Sequence, residues 1–129
     1  MKKMMQTLLY PLLTIAVLFF AYTALAEVPG SKPLVILRFN QPRVYYEQPL
    51  FQAVEKAVAL KPSVMFDVIS YAPAANNTQA EAAWQQTASR NTQAVVASMQ
   101  KMGIPLSRMA ISGQRQSGLT SDEVHIFVR

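Results

Sequence analysis

The sequence predicts an α+β two-layer sandwich of order β-α-β-α-β-β, with two helices on one face of a mixed sheet. Three observations predict it. Short apolar runs rich in β-branched residues stand at 34–39 (LVILRF) and 64–71 (VMFDVISY), and an alternating run closes the chain at 123–129 (EVHIFVR). Two intervening stretches carry apolar residues at three- and four-residue spacing, the mark of a helix with one buried stripe. Each helical stretch has a stop, Lys61-Pro62 for the first and Gly103 followed by Pro105 for the second.

The chain divides before the first strand. Lys2 and Lys3 precede an apolar core at 12–21 (LLTIAVLFFA) and an A-x-A pattern at Ala24-Leu25-Ala26. Residues 1–26 therefore have the layout of a secretory signal peptide, with an N-terminal membrane anchor as the alternative. Residues 27–33 (EVPGSKP) form a linker, since two prolines, a glycine and a serine resist regular structure. Residues 34–129 form the domain.

Within the domain, 34–39 is apolar nearly throughout, which predicts a central strand buried on both faces, with Arg38 at its end. Pro49 suits the first turn of a helix because its missing N–H has no partner to lose there. Leu50, Phe51, Val54, Ala57, Val58 and Leu60 supply the apolar stripe, and Val44-Tyr45-Tyr46 leads in. The second strand, 64–71, is interrupted by Asp67 and Ser70, which places Asp67 toward solvent. Its parallel pairing with the first strand across the helix is expected. Residues 72–79 are a loop in which Asn77 or Thr78 caps the next helix, Thr78 and Glu81 having capping-box spacing. That helix, from Ala80 to Met102, buries Trp84, Ala88, Val95, Met99 and Met102, and Ile104 folds back on its last turn. A short strand at 108–112, a polar loop at 113–121 and the final strand follow. In that last strand Val124, Ile126 and Val128 share one face, and His125 is a surface residue of the other.

Composition narrows the chemistry. There is no cysteine and one histidine, so disulfides, thiolate nucleophiles and cysteine-ligated metals are excluded, and no cofactor is expected. The net charge is +5, and losing Lys2 and Lys3 with the leader lowers it by two. The remaining cations are scattered singly, not clustered on one face as nucleic-acid binding requires. Ser89, Asp67 and His125 are hydrolase residue types, but no nucleophile elbow joins them, so a non-enzymatic role is expected.

Several local patterns occur together: Ala94-Val95-Val96, Met99, Gly103-Ile104-Pro105, Arg108-Met109 and then Gly113. With them the chain from Leu34 onward resembles the OmpA C-terminal-like family, which tethers envelope proteins to peptidoglycan. A narrower likeness, to the IcmN/DotK-type component of type IVB secretion systems, rests on Leu37-Arg38-Phe39, on Val44 to Leu50 (VYYEQPL), on Phe66-Asp67-Val68 and on the ending 123–129. The resemblance implies a periplasmic or envelope location. It implies peptidoglycan or envelope proteins as partners, and membrane contact only through an uncleaved N-terminal segment. In that family an arginine on the long helix meets the carboxylate of diaminopimelate and an aspartate after the second strand meets its ammonium. Ungapped alignment from Gly103 puts the arginine position on Asn91, one residue after Arg90. The aspartate position falls in 72–75 (APAA), which holds no acid. An arginine pair before the last strand is replaced by Asp122-Glu123. The ligand-facing residues implied are Arg90, Asn91, Asn76 and Asn77. The alternative implied is a degenerate domain of this fold that assembles with proteins.

Overall fold

The computed structural model describes residues 32–129; the leader and most of the linker lie outside the described residues. The domain is an α+β two-layer sandwich. Its elements are β1 (Val35–Arg38), α1 (Glu47–Leu60), β2 (Phe66–Pro73), α2 (Thr78–Lys101), a 3-10 turn at Leu106–Arg108, β3 (Met109–Gln116) and β4 (Glu123–Val128). The mixed sheet has the order β1-β4-β2-β3. β4 runs antiparallel to both β1 and β2, and β3 runs parallel to β2. No described helix is long and apolar enough to cross a membrane.

The two central strands carry the core. Register places Phe66, Val68, Val124 and Ile126 on one sheet face, and all four are fully buried. Onto them α1 lowers Leu50, Val54 and Ala57, and α2 lowers Val95, Val96 and Met99. Burying a large aliphatic or aromatic side chain contributes about 1.5–3 kcal/mol, so this single cluster holds sheet and helices together. Val64, just before β2, and Ile104, just after α2, join it from outside the regular elements.

Local signals act where the chain chemistry requires. Asn77 caps α2, its Oδ1 accepting from the Ala80 amide at 2.7 Å, with Glu81 in the first turn and Lys101 in the last. At the other end Gly103 takes φ +97°. Its N–H donates to the Gln100 carbonyl, and that of Ile104 to Met99, a double closure that turns the chain back onto the core. Lys61 is extended at φ −149°, ψ 95°, as the residue before Pro62 must be to avoid its ring.

The first strand departs from expectation. β1 is four residues long and lies at a sheet edge, with only Leu37 buried. Its apolar residues are partly buried against the core, Leu37 fully, with Leu34, Val35 and Phe39 packed beside it, and are not covered on both faces. The pairing of the first two strands is likewise corrected: β4 lies between β1 and β2, so they run parallel without touching. The central, near-continuous apolar strand is β2, shifted two residues later than its sequence pattern indicates. β3 extends well past residue 112, through Gly113-Gln114-Arg115-Gln116, because β2 offers it an unbroken parallel register up to Pro73. As an exposed edge strand it shows no apolar alternation. Asp67 faces away from the helices but is 9% exposed, because Arg129 Nε covers its carboxylate at 2.9 and 3.1 Å.

Two substitutions test this account of the core and the cap. Leu50→Ala should lower stability by about 2–5 kcal/mol. Gly103→Ala should lower it by about 1–2 kcal/mol through left-handed backbone strain, since a Cβ there meets no atom within 4 Å. Urea unfolding measures both, and an unaffected Gly103→Ala chain would remove the cap assignment.

Candidate functional site

The residues implied by the family resemblance lie on or near α2 but serve different ends. Asn77 is the helix cap just described, so its carbonyl oxygen is engaged. Asn76, beside it, is exposed in the loop. Arg90 is exposed, with no hydrogen bond or ion pair to the other described residues. Asn91, one residue on and therefore about 100° around the helix, turns inward. Its Nδ2 donates to Asp122 Oδ2 at 2.7 Å.

That contact matters because Asp122 is 1% exposed. It sits just before β4, at the end of the sheet where Phe39 donates its backbone N–H to the Asp122 carbonyl. Among the described residues Asn91 is the side chain that bonds its carboxylate. A buried carboxylate without a donor is costly, so Asn91 ties α2 to the β3–β4 connection. The four implied residues do not converge on one cavity.

A cavity lies between α2 and β3. It is an open groove of about 460 Å³. Gln85, Ala88, Ser89, Thr92 and Gln93 form its α2 wall, and Ser70, Ala72, Ile111, Gly113 and Arg115 lie across from them on the sheet. Its chemistry is mostly neutral: hydroxyls, amides, small residues and the half-exposed Ile111. Its one cation, Arg115, is ion-paired with Glu81, and Thr92 returns its hydroxyl to the Ala88 carbonyl at 2.7 Å.

Ser89 borders this groove, while Asp67 and His125 lie on the opposite face of the sheet. The three hydrolase residue types are thus not brought together. His125 Nε2 lies 2.8 Å from Glu123 Oε1, and its ring is 4.4 Å from that of Tyr71. Glu123 also meets Arg38 at 3.4 Å. Among the described residues there is no cluster of three or more His, Asp or Glu side chains able to hold a metal.

Both the groove and the Asn91–Asp122 bond escape sequence reasoning. The groove exists only because β3 extends to Gln116. Its one local signal is a run of small residues, Ala88, Ser89 and Thr92 on α2 and Gly113 opposite.

The two helix neighbours should behave differently on truncation. Asn91→Ala should cost about 1–3 kcal/mol by leaving Asp122 unbonded, whereas Arg90→Ala should stay within about 0.5 kcal/mol of the parent. Chemical unfolding of both variants is the measurement, and equal effects would argue against the assigned roles. No family model and no curated protein matches this chain.

Proposed function

We propose that this domain is a non-enzymatic, OmpA-like module of the cell envelope that works by contact with protein, its peptidoglycan clamp having been given over to an internal bond. The observation that carries this is the pairing of Asn91 with Asp122. Those two positions are where the chain departs from the clamp pattern: an amide stands in for the helix arginine, and an acid stands in the arginine pair before the last strand. Joined to each other, they make a single structural contact.

A diaminopimelate carboxylate arriving there would meet an amide already engaged and a buried carboxylate of its own sign. Arginine suits such a ligand through its two-pronged, always-charged fork, and an amide supplies neither the charge nor the fork. Arg90, the cation next to that position, is exposed and does not line the groove. The leader pattern in the first 26 residues supports an exported, envelope location. The groove of neutral hydroxyl and amide groups supports a polypeptide surface as the contact, since such groups match backbone and side-chain amides.

Two measurements separate the readings. Incubated with purified sacculi, the chain should stay in the supernatant. With a photo-crosslinking residue at Gln85, in the groove wall, it should form discrete protein adducts in intact cells. Retention on sacculi that is lost on Arg90→Ala would overturn the proposal and restore peptidoglycan association through that arginine.

A further inference from the structure

The two edges of the sheet are built differently. β1 is short, carries Arg38, and lies between Pro33 and Pro42. Those are the features that keep an edge strand from pairing with another chain. β3 has eight residues, contains no proline, and keeps a one-to-one register with β2 along its whole length, with no bulge. Among the described residues nothing pairs with its outer edge. Its backbone donors and acceptors on that side are therefore open, and beside them lies the α2–β3 groove with Ile111 49% exposed.

We propose that β3 pairs antiparallel with β3 of a second copy of this chain, about a twofold axis at Ser112, giving a continuous eight-stranded sheet. The register follows from side chains. Register with β2 puts Met109, Ile111, Gly113 and Arg115 on the helix-bearing face and Ala110, Ser112, Gln114 and Gln116 on the other. Antiparallel partners share a face. With Ser112 opposite the partner's Ser112, Ile111 lies opposite the partner's Gly113 and Gly113 opposite the partner's Ile111. Each isoleucine then covers the space that the missing Cβ leaves on the other strand. A Cβ at Gly113 would meet nothing closer than the Ser70 carbonyl at 3.9 Å, so this space lies open above the sheet.

Charge fits the same register. Arg115 falls opposite the partner's Met109 and Arg108 opposite the partner's Gln116, so no like charges face each other. Arg115 is already neutralised by Glu81 of its own chain. The helices also have room. α2 packs mainly on β2, and two β2 strands separated by the β3 pair are three strand spacings, ~14 Å, apart. That exceeds the 8–10 Å of helices in direct contact by about the width of a side-chain layer. Gln85, Ser89, Gln93 and the two isoleucines would occupy that layer. The dimer would cover the same α2–β3 groove, so a Gln85 crosslink of twice the chain's mass would report this pairing and an adduct of another mass the envelope partner proposed above; a monomer would leave that proposal standing.

The chain has no cysteine, so a single introduced thiol reports the pairing. In the full chain, Ser112→Cys should form a covalent dimer on mild oxidation or with a short bismaleimide, read as a doubled mass on a non-reducing gel. Gln116→Cys should not, because the two thiols would be separated by eight residues along the strands, ~26 Å. Without cross-linker, sedimentation should show a mass rising toward twice the monomer with concentration. Ile111→Lys should abolish that rise while leaving the circular dichroism unchanged. A constant monomer mass with no Ser112→Cys dimer would overturn the pairing. Equal cross-linking from Gln116→Cys would overturn the register.

Discussion

Everything in this domain depends on β4 entering between β1 and β2. Its Val124 and Ile126 complete the buried surface begun by Phe66 and Val68, and both helices take their position from that surface. Without β4 the first two strands have no neighbour in common, and α1 and α2 would face separate pieces of sheet. The insertion is fastened at its far end by backbone bonds in both directions between Met65 and Arg129 and by the Arg129 guanidinium on Asp67. Near its start the Asp122 carbonyl takes the Phe39 N–H, while the carboxylate takes the Asn91 amide.

The helices and their ends were legible in the sequence because their signals are local. Periodicity, Asn77, Pro62 and Gly103 each act within a turn or two of chain. Fold class was legible too, as it follows from the order of elements. Strand position in the sheet was not. The run LVILRF has the composition of a central strand, yet it is an edge, since apolar composition records burial and not the number of neighbours. The local pattern marks β3 four residues short because GQRQ is ordered by its register with β2 across the crossover, a long-range constraint that no local pattern carries.

The candidate site divides along the same line. Arg90, Asn91, Asn76 and Asn77 can be named from the sequence, but what each does depends on its partner. Asn77 could be foreseen as a cap because the amide it bonds is three residues away. Asn91 could not be paired with Asp122 from sequence, because the two are thirty-one residues apart. The groove arises where a helix over one strand leaves the next strand uncovered. It is a product of packing geometry, with small side chains as its one trace in the sequence.

The place of β4 has a kinetic consequence. The sheet's centre is filled by its last strand, so β1 must wait for a segment some ninety residues later in the chain before it gains a hydrogen-bonded neighbour. Contacts of such separation raise contact order and slow folding, because loop-closure entropy is spent before any pairing repays it. A nascent chain lacking β4 can pair β2 with β3 beneath α2, but β1 then has no strand to join. The first strand therefore stays unpaired until synthesis has passed residue 128.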